Sequence, residues 1–426
     1  MTLLLVSVFV IGYLAITLEH SIHINKTASA LLTGVLCWSI YALMGTDTAH
    51  QVSEHLSHHL GDIAEIVFFL LGAMTIVELI DAHDGFSVIT NRIKTQNIKQ
   101  LMWIIAILTF FMSAILDNLT TAIVMASLLR KIMHASDTRK IMVGLVVIAA
   151  NAGGAWSPLG DVTTTMLWIG TQVSATGVMS QLILPSLVSM IVPLIYLTFT
   201  LKTKSNLFLN KSGVSSSVSV SSRNTMFVVG LGVLLFVPVF KTVTHLPPYM
   251  GMLLGLGIVW LVSEIIHKDK DEETKSKYSA VHALRKIDTS SILFFLGILV
   301  AIAALESTEL LHHFAEGMNK TLGNQDLIVF VIGVASSIID NVPLVAASMG
   351  MYDLATYPTD SKLWEFMAYC AGTGGSLLII GSAAGVAVMG MEKIDFVWYF
   401  KKITFVALIG YVAGAATYLA LYNFMH

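Results

Sequence analysis

Apolar residues run along this chain in long stretches separated by short polar connections, a pattern that predicts helices crossing a membrane. About 20 apolar residues carry a helix across the hydrocarbon core. Windows of that kind lie at 3–18, 26–44, 63–81, 140–176, 180–201, 225–241, 249–266, 288–306, 364–391 and 400–425. Two more apolar stretches, 100–131 and 326–351, carry a polar pair at their centre, Asp117-Asn118 and Asp340-Asn341. The windows 140–176 and 364–391 are too long for one straight helix and Gly-rich in the middle, so they read as broken helices.

Composition fits this reading. The chain has 55% hydrophobic and 12% charged residues, with a mean hydropathy of +0.78. A soluble domain carries about 25% charged residues, so this chain is expected to be dissolved in lipid as an all-α polytopic membrane protein. The net charge of -3 points to no nucleic-acid partner. Cys37 and Cys370 sit in apolar segments and read as small buried hydrophobes. The stretch Met1–Ile16 reads as a retained spanning helix, since it has no basic start and no cleavage site.

Lys and Arg mark cytoplasmic loops. The loop 45–62 has neither, whereas 82–99 has Arg92, Lys94 and Lys99, so the third span is expected to run from outside to inside. The stretch 100–131 then has basic residues on both flanks, the second flank being Arg130, Lys131, Arg139 and Lys140. It is expected to enter and return on one side as a re-entrant hairpin turning near Asp117-Asn118. Lys202, Lys204, Lys211 and Arg223 are expected inside, as is the charged connection 267–286; the linkers 202–224 and 267–287 read as solvated loops. The stretch 326–351 is flanked by Asp326, Asp353 and Asp360 and reads as a second hairpin, entered from outside.

The two halves resemble each other. SAILDNLTTAIVMASL (113–128) pairs with SSIIDNVPLVAASMG (336–350), and NAGGAWSPLGDVTT (151–164) with GTGGSLLIIGSAAG (372–385). FFLLGAMTIVELID (68–81) pairs with FFLGILVAIAALE (294–306). The expected domains are a first repeat 1–201, a hydrophilic linker 202–224 and a second repeat 225–426. Five spanning helices (one broken) plus one hairpin in each would make the repeats inverted in topology, with a site near the midplane.

An Asp inside a span costs roughly 2.5–3.5 kcal/mol, yet Asp117 and Asp340 each sit in an apolar run followed by Asn. A bland reading is that each caps the second hairpin helix. The functional reading is a cation site, because small hard cations choose oxygen ligands. Asp117, Asn118, Asp340 and Asn341 are the expected sodium ligands. Asn151, Asp161, Thr163 and Thr164 add oxygens at the first break, and Ser336, Thr373, Ser376 and Ser382 in the second half. Unwound backbone at 151–164 and 372–385 is expected to add carbonyls. Asp288, Thr289 and Ser290 read either as a helix cap or as an entrance carboxylate. Glu78 and Asp81 read as gate or interface groups. His50, His55, His58 and His59 occupy a loop, either solvated, pH-sensing or metal-binding.

At these residues the chain resembles the NhaD-type sodium/proton antiporters of the ion transporter superfamily, over nearly its whole length. The motifs are SAILDN (113–118), NAGGAWSPLGDVTT (151–164), KIDTSS (286–291) and SSIIDN (336–341). The resemblance implies exchange of sodium or lithium for protons, ions competing for buried carboxylates, in a bacterial cytoplasmic membrane. It also implies a homodimer, no cofactor and no enzyme activity, and it links His58 and Glu65 to pH response. Leu119 and Val342 stand where the anion-carrying relatives have Thr, and Ala384 and Gly385 where the first half has Thr163 and Thr164. The site is therefore expected to be asymmetric. The alternative is an arsenite or dicarboxylate permease of the same superfamily. A metalloenzyme is disfavoured because no His pair lies within a span, and a passive sodium channel would differ in lacking proton coupling.

Overall fold

A computed structural model describes residues 1–90, 95, 97–134, 136–201, 219–308, 310–338 and 340–425. Most of the linker expected at 202–224 lies outside them, as do Arg92, Lys94, Lys202, Lys204 and Lys211. Among the described residues the chain is helical without strands. Eight of these helices are long and apolar enough to cross a membrane: Lys26–Met44, Ala49–Ala82, Ile98–Leu116, Ala175–Thr200, Val220–Thr244, Pro248–His267, Thr289–Glu306 and Phe396–Phe424.

The broken helices form the centre. Every residue from Met142 to Ala155 is buried in the helix Asp137–Ala155, and every residue from Leu363 to Gly374 in Lys362–Gly374. A helix that is apolar on all faces has no water-facing side and is enclosed by others. Val162–Ile169 and Ala383–Glu392 continue the two paths beyond the breaks. The helices Ile98–Leu116 and Asn118–Ile132 meet at Asp117 and pack on each other. Gln325–Ala335 and Asn341–Met351 flank Asp340 in the same order.

Packing recurs between the halves. Ile98–Leu116 lies on Asp137–Ala155 as Gln325–Ala335 lies on Lys362–Gly374. Lys26–Met44 lies on Thr289–Glu306 as Pro248–His267 lies on Ala49–Ala82. The arms also cross over: Asn118–Ile132 packs on Ala383–Glu392, and Asn341–Met351 on Val162–Ile169.

Three expectations change. The histidines 50–59 are on a helix rather than in a loop. Thr48 and Gln51 form a capping box that starts Ala49–Ala82, and its 34 residues span roughly 50 Å at 1.5 Å per residue. Its first turns therefore extend beyond a hydrocarbon core of about 30 Å. The Gly pair 153–154 remains helical, and the first break is confined to 156–161. The reason is close packing: a Cβ on Gly153 would lie 2.2 Å from the Phe110 carbonyl oxygen, and one on Gly154 2.4 Å from that of Gly160. Here glycine admits a neighbouring backbone, which outweighs its poor helix propensity. The connection 267–287, read as a solvated loop, contains the helices Glu272–Tyr278 and Ala280–Lys286. Tyr278 is buried there, its ring stacked on His267 at 4.6 Å.

Sequence reading also missed the amphipathic helix Leu310–Leu322. Its signal was present: Leu311 and Ala315 are buried on one face while Glu316 and Lys320 occupy another.

Candidate cation site

The tip of the first hairpin candidate is held by the first broken helix. Ser113 Oγ donates to the Ala150 carbonyl at 2.6 Å, and Ser157 Oγ donates to that of Ala114. At the tip Asp117 has φ 87 and ψ 158, a conformation that suits glycine. The Asp side chain offsets part of that strain by capping the next helix. Thr120 N–H donates to Oδ1 at 2.8 Å and Thr120 Oγ1 to Oδ2 at 2.9 Å. The bland capping role is thus present, but in a backbone geometry no cap requires.

Asn118 is buried and turns inward. Its Nδ2 donates to Asp161 Oδ2 at 2.7 Å and to Asn151 Oδ1 at 3.2 Å. Asn151 Nδ2 in turn donates to Ser382 Oγ at 3.1 Å. Asp161 is only 1% exposed. Its Oδ1 accepts from Thr163 N–H at 2.9 Å and Thr163 Oγ1 at 2.8 Å. Asp161 thus accepts three hydrogen bonds, one from Asn118 and two from Thr163. Asp161 caps Val162–Ile169, and Ser382 caps Ala383–Glu392. The network therefore joins the first tip to the starts of both distal half-helices.

Asp340 stands differently. Its φ of -47 is ordinary, and its Oδ1 accepts from Val342 N–H at 3.2 Å. Its Oδ2 is 3.1 Å from Lys26 Nζ. Lys26, which sequence reading missed, lies over the Phe294 ring, 4.3 Å from its centroid. A lone lysine opening an apolar window was the available signal. Asn341 is buried.

The other expected residues scatter. Ser336 Oγ donates to the carbonyls of Gly333 at 2.7 Å and Ala371 at 3.3 Å, Thr373 Oγ1 to Tyr369 at 2.6 Å and Ser376 Oγ to Thr373 at 2.6 Å. These are backbone-bonded hydroxyls lining the second break, each with acceptor capacity left. Thr164 is buried beside the Ala155 carbonyl. Asp288, Thr289 and Ser290 are exposed at a helix start, with Asp288 accepting from Ser291 N–H at 3.1 Å. It is Ser291 that lines a cavity of about 60 Å³ with Asp117 and Asn118.

A larger cavity of about 460 Å³ is bordered by His58, Asp62, Glu65, Gln172 and Glu306. Residues 58–66 of Ala49–Ala82 line this cavity and 69–77 the smaller one, so the two follow each other along that helix. Glu78 is engaged by Lys286 Nζ at 3.3 Å, which fits an interface group. Two further residues hold the second break. Tyr399 OH donates to the Ser376 carbonyl at 2.8 Å and Thr404 Oγ1 to that of Leu377 at 2.7 Å. They flank or lie in the π-helical turn Phe400–Thr404, which advances the helix by one residue and re-aims its side chains.

The family model described as "Citrate transporter" matches residues 13–365. "Sodium/proton antiporter 2" of Arabidopsis thaliana is 47% identical over 98% of this chain and 99% of its own length. "Sodium/proton antiporter 1" of the same plant is 51% identical over 97% of this chain and 72% of its own length. "Na(+)/H(+) antiporter NhaD" of Alkalimonas amylolytica is 30% identical over 98% of this chain and 90% of its own length. These relatives are transporters from a plant and a bacterium, so likeness establishes a multi-pass membrane transporter and leaves its membrane open. On this match and these identities, the chain belongs to the citrate transporter family and is a relative of the NhaD-type sodium/proton antiporters.

Proposed function

We propose that this protein is a secondary active transporter that exchanges sodium or lithium for protons. The observation that carries the reading is the buried set Asn118, Asn151 and Asp161 beside Asp117 and Ser382. A carboxylate buried with amide and hydroxyl oxygens around it is what a small hard cation needs once stripped of water. Asp161 and Asp117 would hold the ion in the first half, with Asn118, Asn151, Thr163 and Thr164 as neutral oxygens. Asp340 and Asn341 would serve the second half, with Ser336, Thr373 and Ser376 at its break. Protons and sodium would compete for the carboxylates, since a protonated Asp loses most of its attraction for a cation.

The recurring packing supports two inverted repeats, 1–201 and 225–426, with re-entrant hairpins at 100–131 and 326–351. The broken helices and hairpin arms would move together against the outer helices in an elevator-like step. The larger cavity bordered by Asp62, Glu65 and Glu306 is an acidic vestibule suited to gather cations. His58 and Glu65 at its rim would then tune loading with pH, and Asp288-Thr289-Ser290 would lie at the opposite entrance. A homodimer is part of the reading through family likeness alone.

The family's title names citrate, so anion transport is the second reading. Against it stand three carboxylates near the tips, which would repel a tricarboxylate. The test is pH-dye fluorescence in everted membrane vesicles after adding sodium, lithium, potassium, citrate or arsenite. Dequenching by sodium or lithium is the expected result. Uptake of citrate or arsenite without alkali-cation-driven proton movement would overturn the proposal.

A further inference from the structure

The contact between Lys26 and Asp340 joins two packing units. Lys26 is the first residue of Lys26–Met44, which packs along Thr289–Glu306. Asp340 caps the second hairpin arm, Asn341–Met351. The lysine is positioned rather than trailing. Asn25 caps its helix by accepting from Thr27 N–H at 2.8 Å, and Thr27 Oγ1 shares a 2.9 Å hydrogen bond with Ser290 Oγ. The backbone N–H of Lys26 donates to Glu19 Oε1 at 3.1 Å, and the ammonium rests over Phe294.

We propose that Lys26 is a tethered competitor for the second carboxylate, its ammonium holding Asp340 until sodium displaces it. The inference rests on reading Asp340 as sodium-binding and adds the residue that sets how readily it binds. The pair suits displacement. Its side chains are 26% and 17% exposed, so water and salt screen it, unlike a dry ion pair. Only one carboxylate oxygen engages the ammonium, and the aromatic face of Phe294 gives the released cation a place to rest.

The two tips then differ in kind. Asp117 is held by the neutral donors of Thr120, and Asp340 by a positive charge. Sodium arriving at the first tip adds a charge. At the second tip it replaces one, and the freed hairpin arm loses its ionic tie to Lys26–Met44. Lys26 is thus a positioning and affinity-setting residue for the exchange.

The experiment compares wild type, Lys26→Gln and Lys26→Arg in everted vesicles across a sodium series. It also measures sodium-dependent thermal stabilisation of each purified protein. Loss of the competitor should lower half-saturating sodium about two- to five-fold in Lys26→Gln, with Lys26→Arg staying near wild type. The purified Lys26→Gln protein should likewise be stabilised at lower sodium. A Lys26→Gln protein with unchanged half-saturation and only a lower melting temperature would make the pair a structural tie and overturn the inference. Wild-type vesicles without sodium-dependent proton movement would overturn the exchange reading. In that case the thermal series still decides whether Lys26 and sodium compete.

Discussion

Asn118 Nδ2 lies 2.7 Å from Asp161 Oδ2, joining the tip between the helices Ile98–Leu116 and Asn118–Ile132 to the far side of a broken one. The bond pairs a buried amide donor at the tip with a carboxylate that is only 1% exposed. Removing either partner should therefore have separable effects. Asn118→Ala strips a buried carboxylate of one donor and should destabilise the protein by about 1–3 kcal/mol, with a large loss of exchange. Asp161→Asn keeps the volume and both Thr163 bonds but sets its own amide NH2 against that of Asn118, so it should stay folded with a modest loss of stability yet lose exchange. Thermal melting of the purified variants together with vesicle dye assays checks both. An active Asp161→Asn would remove this carboxylate from the site.

Asp117 sits at φ 87, where side chains are strained and glycine is not. Asp117→Gly should relieve about 1–3 kcal/mol of backbone strain and lose a helix cap of about 0.5–2 kcal/mol. Net stability is thus expected to change little while exchange disappears. Denaturation in detergent reads the first quantity, and the vesicle assay the second. A strongly destabilised glycine variant would show that the cap dominates and that the strained backbone is not stored for function.

The ends of the two broken paths are clamped by charge. Arg139 lies 2.7 Å from Glu392, whose side chain is fully buried, and Arg130 adds a contact at 3.6 Å. Arg139→Ala should cost up to about 3–5 kcal/mol, because it leaves a buried carboxylate with only the longer Arg130 contact. The double variant Arg139→Met with Glu392→Met should be markedly milder. Melting temperatures of the three proteins measure the difference, and equal losses would argue against uncompensated charge as the cause.

His83 lies one residue past the helix Ala49–Ala82 and is fully buried beneath Tyr278. Burial pushes its imidazole down to about 4, with the nearby His267 adding to the effect against the Leu79 carbonyl. The fold therefore holds the neutral ring, while the unfolded ring titrates near about 6.5. Its stabilising contribution is complete above that value and is lost as pH falls towards the folded value. Hydrogen exchange of residues 272–286 should rise between those two pH values in wild type. His83→Gln should flatten that dependence. An unchanged profile in the variant would place the sensitivity elsewhere.

Much of this could be read along the chain, and the reasons differ by residue. The breaks, the Asp-Asn pairs and their repetition were visible because lipid penalises any charge or open backbone group that lacks a purpose. Asn118, Asn151, Asp161 and Thr163 were named on that ground and do converge. The Gly153-Gly154 pair misled, since glycine marks both unwinding and close helix contact, and only the neighbour Phe110 distinguishes them. Asp288 was ambiguous for a similar reason: a cap and an entrance carboxylate look alike in one dimension. The helical histidines were misplaced because a capping box extended a span beyond its apolar window.

The sequence by itself determined that the chain lives in a membrane, that two of its long apolar stretches are interrupted, and which polar pairs sit within them. Those properties follow from local apolarity against lipid and need no partner. Tertiary structure alone decided which oxygens share a neighbourhood. Asn151 reaches a serine 231 positions away, and Lys26 an aspartate 314 positions away. Hydrogen bonds and ion pairs act over a few ångströms of space, and no spacing along the chain encodes which distant residues folding will bring that close.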